Sequence, residues 1–158
     1  MKESPLEFCQ VAGRHERPLA AFFQDLRAHG DERWFHPHPL SAEHAARLAT
    51  YQGRDLYYVA TRGEAVLAYG LLRGWDEGYD VPSLGIATHP DARGCGLARP
   101  FMLFLHAAAR QRGARRVRLK VYPDNTPARR LYESLGYRLE SGADGQLVGF
   151  CLLETSHG

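Results

Sequence analysis

The chain has 158 residues, 44% of them hydrophobic and 24% charged, with a formal net charge of +2. That length suits one domain burying roughly 68–70% of its unfolded surface, and ordinary proportions of apolar and charged residues indicate a globular protein. The small net charge excludes the concentrated basic face that a nucleic-acid partner demands, while leaving room for a local anion site.

The opening Met1-Lys2-Glu3-Ser4-Pro5 lacks the apolar stretch of a signal peptide. No window approaches the ~20 apolar residues of a membrane span, so the expected location is the cytoplasm. Cys9, Cys95 and Cys151 are too few and too widely spaced for a disulfide framework or a paired-cysteine zinc site, which suits a reducing compartment. Residues 6–11 form a short β-prone run. From Pro18 the apolar positions switch to helical spacing, with Leu19, Phe22, Phe23 and Leu26 at i, i+3, i+4 and i+7, until Gly30 stops the helix. Trp34-Phe35-His36-Pro37-His38-Pro39 follows, kept out of a helix interior by its two prolines. Ser41 is a candidate N-cap for a second helix carrying Ala45, Leu48 and Ala49.

Residues 56–61 and 65–72 read as a hairpin around Arg62-Gly63-Glu64. Residues 74–80 form a loop, and 83–88 a third strand ended by His89-Pro90. A long amphipathic helix then presents Leu97, Phe101, Phe104, Leu105 and Ala108 on one face and ends near Gly113. Along 115–121, Val117, Leu119 and Val121 point one way and Arg116, Arg118 and Lys120 the other. A short helix runs from Asn125 to Gly136, and two last strands, 137–140 and 146–153, join through Ser141-Gly142-Ala143-Asp144-Gly145. The order is β-α-α-β-β-β-α-β-α-β-β, without linker or repeat, which predicts one mixed α/β domain over residues 1–158.

Two segments carry chemistry. In 84–99 a strand and a Pro-containing turn lead through Arg93-Gly94-Cys95-Gly96-Leu97-Ala98-Arg99 into the long helix. Gly94 and Gly96 let backbone pass close to a ligand, and the amides of 94–99 offer unpaired N–H groups and the positive helix end to an anion such as a pyrophosphate. Pro100 fits that first turn without losing a helical hydrogen bond. Alone, the string reads equally well as a turn and helix cap; it is neither the dinucleotide fingerprint nor a P-loop. The second segment, 117–137, ends a strand and opens a helix at Asn125, placing Asn125, Ala128/Arg129 and Tyr132 roughly along one face.

Together these segments resemble the GNAT superfamily of acyl-CoA-dependent N-acyltransferases. The family's Arg/Gln-x-x-Gly-x-Gly/Ala signature is met by Arg93, Gly96 and Ala98, and its later Asn-x-x-Ala-x-x-x-Tyr-Glu-x-x-Gly-Phe/Tyr pattern by Asn125, Ala128, Tyr132, Glu133, Gly136 and Tyr137. The resemblance implies a central, mostly antiparallel mixed sheet of about seven strands flanked by four helices, with strands 83–88 and 115–121 splayed apart. It implies acetyl-CoA as cosubstrate, with pantetheine bonded to the backbone of Ile86, Ala87 and Thr88, pyrophosphate on 94–99, and Asn125 and Arg129 completing the cofactor site. Tyr132 would hydrogen-bond or protonate the departing sulfur, although packing in the core also accounts for its ring.

The family's strand Glu is missing: Val81-Pro82-Ser83-Leu84 has no carboxylate. Asp80, Glu77, Asp76, His36 and His38 stay open as bases beside a water chain and an amine that arrives neutral. His36 and His38, with Trp34 and Phe35, are candidates to line the acceptor cleft, as are Trp75 and Asp80 from an acidic, aromatic loop that reads equally as solvated hairpin. No metal is expected, since no carboxylate or Cys completes a ligand set with the histidines. The basic residues of 115–120 read as a solvated or phosphate-facing stripe. The expected acceptor is a primary amine of a small metabolite or amino sugar; a protein amine and a non-catalytic acyl-CoA-binding module are the rivals. A homodimer is implied by analogy alone.

Overall fold

The computed structural model describes residues 4–154, so the first residues behind the leader expectation lie outside it. Among the described residues the strands are β1 (Leu6–Gln10), β2 (Leu56–Arg62), β3 (Ala65–Arg73), β4 (Ser83–Thr88), β5 (Arg116–Val121), β6 (Arg138–Ser141) and β7 (Leu147–Leu152). The α-helices are α1 (Glu16–Ala28), α2 (Ala42–Ala49), α3 (Ala98–Gln111) and α4 (Thr126–Ser134). The expected order therefore holds element by element. α1 begins two residues before Pro18, which sits in the first turn where its missing N–H costs nothing. Ser41 caps α2 as its sequence position predicts: its Oγ accepts the His44 amide at 3.0 Å, a contact typically worth ~1 kcal/mol.

The strands form one sheet in the order β1-β2-β3-β4-β5-β7-β6. Every neighbouring pair is antiparallel except β4 and β5, which run parallel. This is the expected mixed, mostly antiparallel sheet.

Two cores sandwich it. On one face Leu19, Phe22, Phe23 and Leu26 of α1 and Leu48 of α2 pack against Tyr69 and Leu71 of β3. On the other, Met102 and Leu105 of α3 and Tyr132 of α4 pack with Leu72, Leu84, Val117 and Leu119. β3, buried on both sides, accordingly reads as a nearly unbroken apolar run. At Gly70 α3 comes so close that a Cβ would lie 2.7 Å from Leu105 Cδ1; the absent side chain is what lets the helix lie on the sheet. β5 divides its residues as the alternation predicts, Val117, Leu119 and Val121 entering the α3/α4 core.

Candidate active site

β4 and β5 are neighbours at one point only. Ser83 pairs with Arg118, and the Arg118 amide donates to Pro82 O at 2.9 Å. Beyond that contact the strands diverge and a cleft of about 440 Å³ opens between them. Gly85, Trp34 and Phe35 line it from the α1/α2 side, and Ile86, Ala128, Leu131 and Tyr132 from the α3/α4 side. The cleft is thus a passage through the sheet. Ala87, Thr88 and Asn125 line it too. Among the described residues, one edge of β4 has no strand partner along 84–88, so its peptide groups are free to bond an extended ligand.

The loop after β4 leads to the start of α3. Gly94 and Gly96 adopt φ of 77° and 79°, in the left-handed region. A Cβ at either would touch nothing within 4 Å, so the requirement for glycine is conformational. α3 has no side-chain cap at Leu97, which leaves its first amides for solvent or an anion.

The side chains here are less available than their backbone. Leu97 is buried, Cys95 Sγ donates to Ala92 O at 2.6 Å, and Arg99 donates to Ser134 Oγ of α4 at 2.9 Å. Arg93 borders the cleft with Ala98, but its guanidinium is engaged: Nη2 donates to Asp31 Oδ2 at 2.5 Å and to Thr88 O at 3.1 Å, and Nη1 to Asp31 Oδ1 at 3.3 Å. His89 Nδ1 accepts the Asp91 amide, leaving Nε2–H to donate to Asp25 at 2.8 Å. Two carboxylates therefore tie this loop to α1 and the turn after it. Asp31 was missed by sequence reasoning because, beside Gly30 and Glu32, it looks like an ordinary turn residue.

Tyr132 is nearly buried, at 8% exposure, yet it lines the cleft, and its hydroxyl has no partner among the described residues. Burial pushes its pKa up to about 12, so at neutral pH the phenol holds its proton and can donate it. One turn back it is Ala128, not Arg129, that faces the cleft; Arg129 Nη1 donates to Pro123 O at 2.8 Å instead.

On the opposite face the Trp34 ring meets Tyr122 edge-on, with centroids 6.0 Å apart, and His36 Nε2 lies 2.7 Å from the Tyr122 hydroxyl. His36 does not line the cleft. Tyr122 shares strand parity with Arg118 and Lys120, the one sequence signal that could have found it. His38 turns inward, where Nδ1–H donates to Pro39 O at 2.8 Å and Nε2 accepts the Tyr69 hydroxyl at 2.9 Å. Trp75 is buried beneath the Arg112 guanidinium, 5.0 Å away, and Asp80 is exposed; both lie outside the cleft. Asp76 is occupied by the Tyr51 hydroxyl and the Arg54 amide.

Burial pushes the His38 pKa down to about 4, which has a consequence for stability. An unfolded chain protonates this ring near pH 6.5. The fold keeps it neutral, so its contribution is complete above pH 6.5 and is lost as pH falls toward 4, by up to about 3 kcal/mol. Burial lowers His15, His44 and His106 in the same sense. His38→Gln is therefore expected to flatten, without abolishing, the fall in denaturation midpoint between pH 7 and pH 4.5, as read by urea titrations.

A family model described as Acetyltransferase (GNAT) family matches residues 19–137. This chain belongs to the GNAT acetyltransferase family. The family's acyl donor is acetyl-CoA. The chain is 32% identical over 115 residues to mycothiol acetyltransferase of Thermobispora bispora, covering 72% of this chain and 35% of that protein; it spans about a third of that relative's length. It is also 32% identical over 101 residues to an acetyltransferase of Sodalis glossinidius, 63% of this chain and 68% of the other. The GNAT domain of S. lividans PAT superposes with a TM-score of 0.80 at 19% identity, over 94% of this chain and 90% of that one. The yncA protein of Salmonella typhimurium, solved with its cofactor acetyl-CoA, gives 0.74 at 18% identity, over 97% and 96%. These likenesses bear out the GNAT fold read from the Arg93–Ala98 and Asn125–Tyr137 motifs. Among the described residues, no helix is long and apolar enough to cross a membrane.

Proposed function

We propose that this GNAT domain moves an acetyl group from acetyl-CoA to the primary amine of a small metabolite or amino sugar, by direct attack in a ternary complex. One observation carries the proposal: the cleft passes through the sheet, with a protonated, unpartnered Tyr132 hydroxyl on it and a strand edge free along 84–88. Acetyl-CoA supplies an activated thioester. The amides of 94–99 hold its pyrophosphate, with Arg93 and Arg99 bracing that loop, while Ile86, Ala87, Thr88 and Asn125 border the pantetheine arm. The amine enters past Trp34 and Phe35 on the other face. As its nitrogen bonds to the carbonyl carbon, the N–H of Ile86 or Ala87 stabilises the charge on the oxygen. When the carbon–sulfur bond breaks, Tyr132 passes its proton to sulfur and regains one from solvent.

None of the five side chains considered as base lines the cleft. Of the carboxylates that do line it, Asp31 is held by Arg93 and Asp124 is exposed; the amine gives up its proton to water or arrives neutral. Residues 1–158 would act as one catalytic domain in the cytoplasm, with a homodimer as the expected assembly.

Turnover of acetyl-CoA with a panel of small amines, amino sugars and N-terminal peptides tests it. Acetylation of small amines supports the proposal. Acetylation of peptides alone moves the acceptor to proteins, and tight acetyl-CoA binding without any acetylation leaves a binding module.

A further inference from the structure

Three adjacent strands set Arg73, Ser83 and Arg118 side by side. Arg73 pairs with Ser83 across β3 and β4, and Ser83 with Arg118 across β4 and β5. The row continues through Phe150 of β7 to Arg138 of β6. Residues paired across strands share a face. This face is that of Leu71, Gly85 and Phe35, opposite α3 and α4. Arg73, Ser83, Arg118 and Phe150 line a hollow of about 750 Å³ there. Arg118 of the β5 stripe thus lies away from the loop that follows β4, whereas Lys120 lines the cleft with Arg93 and Ala98.

Both central arginines are half-buried, and neither has a carboxylate partner among the described residues. Arg118 Nη1 has only Ser83 Oγ, at 3.4 Å, and Arg73 Nη2 donates to Pro37 O at 2.8 Å. Arg116 lies over the Phe150 ring, 4.6 Å away, and brings no negative charge. The two cations that line the cleft itself are neutralised, Lys120 by Asp144 at 2.6 Å and Arg93 by Asp31. Glu77 and Asp80 border the hollow from the exposed loop between β3 and β4, in no ion pair. The floor therefore holds two guanidiniums, partly withdrawn from water and in no ion pair among the described residues, with the two carboxylates confined to the exposed rim; such a floor favours bidentate capture of an anion.

The position relates this floor to the reaction. Two residues on from Ser83, Gly85 lines the cleft, and two on from Arg118 so does Lys120, a step of about 6–7 Å along a strand. With the cofactor site on the α3/α4 side, an acceptor on this face reaches the gap with its amine while its far end rests on the arginines. We infer that the acceptor is a small aminocarboxylate, whose carboxylate lies about 6–7 Å from its nitrogen and is bound by Arg118 and Arg73. The inference rests on the acetyl-transfer reading and narrows its acceptor.

Steady-state kinetics with 5-aminopentanoate and its uncharged amide, 5-aminopentanamide, test it. The wild type should prefer the acid by about tenfold or more in kcat/KM, mainly through KM. Arg118→Gln should bring that ratio close to one, and Arg118→Lys should keep part of it, with the thermal shift on adding CoA showing that each variant is folded. Equal use of the two compounds by the wild type, or use of other amines with neither of these, overturns the inference and leaves acetyl transfer standing. Bound acetyl-CoA with no amine acetylated overturns the transferase reading itself.

Discussion

Tyr132→Phe is expected to lower kcat by about 10²- to 10³-fold, within the range a positioned general acid supplies, while KM for acetyl-CoA and the melting temperature stay near wild type. The separation follows from the surroundings of the ring. Its body packs in the α3/α4 core beside Tyr137, with centroids 5.9 Å apart, and phenylalanine keeps that packing. Its hydroxyl has no protein partner among the described residues, so removing it orphans no buried group. What is lost is the proton for the leaving sulfur. Since burial holds the phenol near pKa 12, wild-type kcat should show no decline from Tyr132 ionisation up to about pH 10. Initial-rate kinetics with a good acceptor decide the matter, and a variant with wild-type kcat would move the acid to water or another residue.

Gly96→Val separates binding from folding. The residue sits at φ 79°, and a Cβ there would meet nothing within 4 Å. The backbone conformation is what valine cannot hold without strain of about 1–3 kcal/mol. Relief comes by shifting the loop, which misaligns the amides of 94–99 and their approach to phosphate. The wild type should gain about 2.7 kcal/mol of stability at 100 times the Kd of CoA; the variant should gain almost nothing, while its far-UV circular dichroism matches the wild type. An unchanged CoA shift would remove the pyrophosphate from this loop.

What could be read in the sequence divides along physical lines. Element order was legible because each element here buries a face with its own period: α1 repeats its large apolar residues at helical spacing, and β5 alternates valine and leucine against arginine and lysine. The turn of backbone after β4 was legible for a related reason, since the two left-handed positions at Gly94 and Gly96 leave a mark in composition. Side-chain destinations were not. Arg93 could be placed in the loop before α3, but its partner, Asp31, lies 62 residues away, joined only by folding. His38 and Trp75 looked like cleft surfaces, and their inward turn is decided by Tyr69 and by the Arg112 lid, contacts that no local pattern encodes. The row from Arg73 to Arg118 depends on strand register, which follows from pairing and is invisible in any single strand.

The structure of the complex with CoA and an acceptor analogue tests the account most directly. Pantetheine should lie in the gap between β4 and β5, its sulfur within about 3.5 Å of the Tyr132 hydroxyl, with the acceptor on the side of Trp34 and Phe35. CoA seated anywhere else, or both ligands on one face of the sheet, would contradict it.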